Sequence, residues 1–373
     1  MIVETPKPKV LILTSYTGGG HLSLAQSMKE ILGDNYETNI AAPLPSIIHR
    51  YYTWAERHSL RFWELSFNFS DNEKAALRLH KIVTSLIHKR LLALIEQSKP
   101  RLIISAHPFL YYSIARVNEH IPQRIPLVFL LPELECIHSS WLTEKNGDAY
   151  LVSAREIFDQ ALEYGIDESR LYLTGRPVRE QFLQDYTTSR SATLSALNFD
   201  PAAFTVFLQG GAEGTAGMNR TVNSILALST PIQIILAVGT NKRLAARYSG
   251  MANLRILPYV ETIAPYMAAA DLVMGKAGPT FIYEAIMLEK PFLATFYIPG
   301  QETVNLQFIE RHNLGWVCLE AEAQQQLVTS LARDPALMAE KVNSIRAYRA
   351  WIIQMNQHIY PLIERLIAPY GAD

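Results

Sequence analysis

Short β-branched and leucine-rich runs recur along this chain with helix-like stretches between them, and they fall into two series. Continuous apolar runs need cover on both faces, which a parallel sheet obtains from its crossover helices. The first series predicts strands over Val10–Thr14, Leu102–Ser105, Leu127–Leu131, Tyr150–Val152 and Leu171–Leu173. The second predicts Thr205–Leu208, Ile232–Val238, Arg255–Leu257, Leu272–Met274, Phe292–Phe296 and Trp316–Leu319. Between them lies the Ser/Thr-rich stretch DYTTSRSATLSALNFDP, Asp185–Pro201, which marks a boundary. The 373 residues are also too many for one ordinary core. The expected architecture is therefore α/β, with one domain over 1–185 and a second over 200–345. The C-terminal helical segment 346–373 is expected to pack back on the first domain.

Several classes can be set aside. Cys136 and Cys318 are the chain's two cysteines, far apart and in no metal-ligand spacing, which argues against a disulfide scaffold or zinc site and favours the cytoplasm. The apolar run after Lys7 and Lys9 ends at Thr14, too short for a secretory core. No apolar stretch approaches the roughly 18 residues of a membrane span, so any membrane contact is expected to be peripheral. The net charge of −1 hides a local imbalance: Arg50 to Arg101 holds ten Lys/Arg against five Asp/Glu, or +5, which leaves −6 for the remainder. In the same region, Ile47–Phe69 carries Tyr51, Tyr52, Trp54, Phe62, Trp63, Phe67 and Phe69, while Leu79, Ile82, Leu86, Leu91 and Leu94 follow at helical spacing. Aromatic rings with basic side chains suit an interfacial helix pair on an anionic membrane surface. No recognition motif accompanies the basic charge, so nucleic acid is a poor partner.

Three glycine loops follow predicted strands. A strand that ends in glycine and opens into a helix cradles an anion, because the helix-start amides face the ligand and no Cβ obstructs its approach. The first loop, TGGGHLSLA (Thr17–Ala25), lacks the Gly-Lys-Ser/Thr of a P-loop and the G-x-G-x-x-G of a dinucleotide fold. The second is Gln209-Gly210-Gly211-Ala212-Glu213-Gly214, and the third is Gly275-Lys276-Ala277-Gly278-Pro279-Thr280. Lys276 at a helix start suits a diphosphate. Together the loops indicate a nucleotide-type ligand in a cleft.

These motifs, with HPFLYYSIARV (His107–Val117), IHSSWL (Ile137–Leu142), TGRPVREQF (Thr174–Phe182), GKAGPTFIYEAI (Gly275–Ile286) and IPGQETVN (Ile298–Asn305), resemble the monogalactosyldiacylglycerol synthase and diacylglycerol glucosyltransferase family. That family belongs to glycosyltransferase family 28 and is related to the peptidoglycan N-acetylglucosaminyltransferase. The resemblance implies the glycosyltransferase B architecture, two Rossmann-like domains with parallel sheets facing a cleft, and a UDP-sugar held mainly by the second. It implies that Glu284 meets the ribose and that Gln301 and Glu302 meet the sugar hydroxyls. Gly19, Gly20, Arg176, Gly210, Gly211, Lys276, Ala277, Gly278 and Pro279 would complete the donor site, with Pro299, Gly300 and Asn305 from the IPGQETVN stretch. Tyr51, Trp54, Phe62, Trp63, His138 and Trp141 would lie on the acceptor and membrane side. One departure stands out: where many members read Thr-Asp-Tyr before the His138 motif, this chain has Glu133-Leu134-Glu135.

The expected chemistry is inverting transfer of a hexose from a UDP-sugar to a lipid hydroxyl, most simply diacylglycerol, at the cytoplasmic membrane face. His21 is the candidate base, kept neutral by the positive end of its helix. No Asp-x-Asp occurs, so no metal and no cofactor are expected, and Lys276, Arg176 and helix amides would stabilise the leaving UDP. A UDP-N-acetylglucosamine 2-epimerase, a polyprenyl-type acceptor and a non-catalytic binding module are the alternatives.

Overall fold

A computed structural model describes residues 6–16, 19–50, 59–210 and 217–368. The apolar runs become two six-stranded sheets. The first contains β1 (Lys9–Leu13), β2 (Glu37–Ala41), β3 (Leu102–Ser105), β4 (Leu127–Leu131), β5 (Ala149–Val152) and β6 (Leu171–Leu173), in the order β2-β1-β3-β4-β5-β6. The second contains β7 (Thr205–Gln209), β8 (Gln233–Gly239), β9 (Leu254–Pro258), β10 (Leu272–Lys276), β11 (Phe292–Phe296) and β12 (Gly315–Val317), in the order β12-β11-β10-β7-β8-β9. Every pairing in both sheets is parallel.

Sequence reading did not find β2. Its residues ETNIA begin polar, and the strand pairs only with β1 at the sheet edge, from Lys9 with Glu37 to Leu13 with Ala41. An edge strand with exposed positions has no need of the continuous apolar run that marks its neighbours.

Contacts divide the chain into two units. One holds the described residues of 1–55, 61–179 and 352–373, and the other those of 56–60 and 180–351. In the first, strand alternation sends Leu11 and Leu13 to one face of the sheet and Val10 and Ile12 to the other. Helix α1 (Gly19–Leu32) covers the second face with Leu24, Ala25, Met28 and Leu32. The helix Ile359–Ile367 joins it there through Ile359, Leu362, Ile363 and Ile367.

The opposite face lies under the inserted segment. There α2 (Leu60–Ser70) is followed by α3 (Glu73–Ser98), and α4 (Pro108–Asn118) comes after β3. Asn72 caps α3 by accepting from the Ala75 amide at 2.9 Å. The buried stripe of α3 is Ala76, His80, Val83, Ile87, Leu91 and Ile95. Only Leu91 of the five apolar residues expected at helical spacing is fully buried; Leu79 and Leu94 pack at the margin, and Ile82 and Leu86 are each 59% exposed. The expected set mixes two helix faces because α3 is apolar on more than one side.

His80 is the polar exception in that stripe. It is fully buried, and its Nε2–H donates to the Ser140 carbonyl at 3.0 Å. Burial lowers its pKa from 6.5 to about 4, against a smaller upward pull from that hydrogen bond. Between those values the unfolded chain binds a proton that the folded chain refuses, so this stability is present above pH 6.5 and lost as pH falls toward 4. His80 alone should cost about 2 kcal/mol between pH 7.5 and 5. Urea titrations of His80→Gln should show a weaker acid dependence by that amount; an unchanged slope would contradict the linkage.

Candidate active site

The strand orders place the candidate residues. In an open parallel sheet, ligands bind beyond the carboxyl ends of the strands, where neighbouring crossovers leave in opposite directions. In the second sheet that switch lies between β7 and β10, and in the first between β1 and β3. The glycine loops follow β7, β10 and β1.

In the second unit, β7 ends at Gln209 and leads into Gly210; Gly211 lies outside the described residues. Gly275 of β10 has φ +149°, and a Cβ there would stand 1.9 Å from the Gln209 carbonyl oxygen, so only glycine admits this approach of the two strands. Lys276 ends β10, and Ala277 and Gly278 lead into α5 (Pro279–Met287), with Pro279 in its first turn. The opening amides of α5 therefore follow directly on the lysine, an arrangement suited to an anion. Glu284 lies further along α5 and is 7% exposed among Phe281, Tyr283 and Ile286.

The IPGQETVN stretch holds this loop. Pro299 and Gly300 make the turn, Gly300 with φ +80° and its amide donating to Thr303 Oγ1 at 3.0 Å. Gln301 is partly buried and precedes α6 (Thr303–Arg311) by two residues. Glu302 is 2% exposed; its Oε1 accepts from Lys276 Nζ at 2.6 Å and its Oε2 from the Ile298 amide at 2.9 Å. Asn305, 1% exposed, donates from Nδ2 to the Ala277 carbonyl at 2.8 Å. Glu302 and Asn305 thus grip the Lys276 loop from one short segment.

In the first unit, Gly19 and Gly20 open α1, while Thr17 and Gly18 lie outside the described residues. His21 is partly buried, and its Nδ1 donates to the Ala106 carbonyl beyond β3 at 2.8 Å. A carbonyl only accepts, so the proton sits on Nδ1 and Nε2 keeps its lone pair. The pKa falls to about 4, first through burial and further through Arg176, with the Ala106 bond opposing. The rings of His107 and Trp141 pack at 4.5 and 5.8 Å from that of His21. His107 itself caps α4, accepting from the Phe109 amide at 3.3 Å. Arg176, counted from sequence among the donor contacts, belongs to this unit; it is 5% exposed and donates to the Pro132 carbonyl at 2.7 Å.

Several residues expected on the acceptor and membrane side point inward. Tyr51 and Trp54 lie outside the described residues. Trp63 is a core residue, 8% exposed, which corrects the expectation that its ring meets lipid headgroups; Trp141 is 4% exposed and packs beside His21. His138 faces the end of α2: its Nε2 lies 3.2 Å from Ser70 Oγ and 3.3 Å from the Phe67 carbonyl, and its Nδ1 accepts from the Ser140 amide at 3.1 Å. Asp71 accepts from the Ser139 amide and hydroxyl at 2.8 and 2.7 Å. The IHSSW stretch therefore fastens the α2–α3 turn, a job sequence reading missed because Asp71 lies 68 residues from Ser139. Leu134, the middle residue of Glu133-Leu134-Glu135, is fully buried.

Phe62 does face outward. With Leu65 and Phe69 it forms an exposed row at i, i+3 and i+7 on α2, 47%, 70% and 81% exposed. On α3 the exposed residues Arg78, Lys81, Lys89 and Arg90 surround Ile82 and Leu86. Among the described residues, no helix is long and apolar enough to cross a membrane.

Comparison with known proteins agrees with this geometry. Residues 23–178 match the monogalactosyldiacylglycerol (MGDG) synthase family model, and residues 205–345 match the glycosyltransferase family 28 C-terminal domain. The processive diacylglycerol beta-glucosyltransferase of Staphylococcus carnosus is 26% identical over 364 residues, spanning 92% of this chain and 90% of that protein. The chloroplastic monogalactosyldiacylglycerol synthase of Spinacia oleracea is 26% identical over 336 residues, spanning 84% of this chain but 63% of the spinach protein. Among solved structures, that of HepE from Anabaena in complex with UDP-glucose superposes with a TM-score of 0.59 at 13% identity, covering 96% of this chain and 99% of that one. That likeness shows the fold, which is glycosyltransferase B. With both halves matched in order and relatives aligned over most of its length, the chain belongs to the monogalactosyldiacylglycerol synthase and diacylglycerol glucosyltransferase family, within glycosyltransferase family 28, and is a glycosyltransferase.

Proposed function

We propose that this enzyme moves a hexose from a UDP-sugar to the free hydroxyl of diacylglycerol, with inversion at the anomeric carbon. The observations that carry the reading are a lysine at a helix start after one switch-point strand and a histidine with a free Nε2 after another, in a family whose curated relatives are named for glycosylating diacylglycerol. The second unit would hold the donor. Lys276 and the first amides of α5 oppose the diphosphate charge, Glu284 accepts from the ribose, and Gln301 faces the hexose.

In the reaction the acceptor oxygen bonds to the anomeric carbon as the carbon–oxygen bond to UDP breaks, and UDP departs with the electron pair. The hydroxyl proton passes to His21 Nε2. A base held at about 4 is unprotonated near neutrality but weak, so proton transfer is late, when bond formation has made the hydroxyl acidic. Lys276 and the helix amides stabilise the charge on the leaving group, so the reading requires no metal.

The exposed row on α2 and the basic face of α3 support docking on an anionic bilayer. Apolar side chains enter the headgroup region while Lys and Arg meet lipid charge.

Incubation with UDP-glucose or UDP-galactose and diacylglycerol should release UDP and yield a monoglycosyl lipid by mass spectrometry; isomerised sugar without lipid product would mark an epimerase instead. His21→Ala should lower turnover at least a hundredfold while UDP affinity stays within twofold, and retained turnover would remove His21 as the base. Activity should survive excess EDTA, whereas loss reversed by Mn²⁺ or Mg²⁺ would refute the metal-free reading. Replacing Leu65 and Phe69 by serine should weaken flotation with anionic vesicles about tenfold at unchanged melting temperature; equal flotation would exclude the α2 row.

A further inference from the structure

Glu302 stands in the stretch expected to read the sugar, yet its carboxylate is turned toward the protein. One oxygen accepts from Lys276 Nζ at 2.6 Å, the other from the Ile298 amide at 2.9 Å, and the side chain is 2% exposed. A Cβ on Gly278 would lie 3.3 Å from the same Oε1 and 3.8 Å from Lys276 Nζ, so the ion pair is seated directly against the loop that opens α5. The Lys276 side chain, by contrast, is 17% exposed. The ammonium is thus tethered on its buried side, while part of the side chain reaches the surface.

The tether is part of a larger fastening. The Glu302 amide donates to the Ile298 carbonyl at 2.9 Å, the Asn305 amide to the Glu302 carbonyl at 3.1 Å, and Asn305 Nδ2 to the Ala277 carbonyl at 2.8 Å. A lysine left alone carries a four-carbon stem with large rotamer freedom, and ordering it on ligand arrival costs affinity. A buried carboxylate at 2.6 Å removes that freedom beforehand. With 2% exposure and both oxygens already accepting from the protein, it presents little surface to a hexose.

We infer that Glu302 is a positioning residue for Lys276, fixing the ammonium for the donor diphosphate, and that hexose recognition in this stretch falls to Gln301 rather than to the pair. The inference rests on the nucleotide-sugar reading above and assigns a task within that site.

The test separates UDP from the sugar it carries. Calorimetry with UDP alone should show Glu302→Gln binding about tenfold more weakly than wild type. Lys276→Met should weaken binding as well, and the double variant should be little worse than Lys276→Met, because the carboxylate acts through the lysine. The ratio of kcat/KM for UDP-glucose to that for UDP-galactose should stay within twofold in Glu302→Gln. In Gln301→Ala that ratio should move at least fivefold while UDP affinity stays within twofold. Unchanged or tighter UDP binding by Glu302→Gln, or a shifted sugar ratio in that variant, would overturn the assignment. Should Glu302→Gln not fold, Gln301→Ala still decides: an unaltered sugar ratio there returns the reading of the hexose to Glu302. Failure of the wild-type chain to bind UDP would instead remove the nucleotide-sugar reading.

Discussion

Parallel strand pairing is the constraint from which the rest of this structure follows. A parallel neighbour cannot be reached by a tight turn, so each connection must return the chain across the sheet, usually through a helix. All carboxyl ends of the strands then share one edge, and the helices that follow start along it. Where the winding changes direction, two such ends diverge and leave room. In the first sheet this brings the His21 helix beside the Ala106–His107 turn; in the second it brings Gly275 against the Gln209 carbonyl. Both sets of chemical groups are consequences of winding before they are consequences of evolution toward a substrate.

Much of this was legible in the residues. Leu102–Ser105, Leu127–Leu131, Leu171–Leu173 and Phe292–Phe296 stand as strands with the boundaries their apolar runs suggest, because buried parallel strands leave little choice of composition. The third glycine loop was legible for a related reason: a Cβ on Gly275 would stand 1.9 Å from a carbonyl oxygen, so no other residue fits there. Strand β2 was not, since an edge tolerates Glu37, Thr38 and Asn39. Neither was the direction in which side chains face. From the letters alone, Phe62 and Trp63 look alike, and one helical step makes the first a surface residue and the second a core one. Long-range polar partnerships were likewise hidden, because nothing local to Asp71 announces Ser139, and nothing local to Glu302 announces Lys276.

The polar groups inside this protein serve two different ends. His80, His138 and Asp71 stitch the inserted helices to the first unit, and their value lies in geometry that an apolar substitute would not reproduce. His21, Lys276 and Glu302 are held in defined protonation or position by neighbours that ask nothing else of them. Burial is the shared instrument. It strips the proton from a histidine in one place and makes an ion pair rigid in another.

The helix Ile359–Ile367 has a consequence for the birth of the protein. It closes a face of the first unit against Val10, Ile12, Leu24 and Met28, yet more than 150 residues of the second unit are made before it. On the ribosome the first sheet therefore waits with part of that face, beside α1, uncovered while the second is synthesised and able to fold. The earliest-made half of the enzyme is the last to be completed, and the aliphatic side chains of Val10 and Ile12 receive part of their cover only when the final helix arrives.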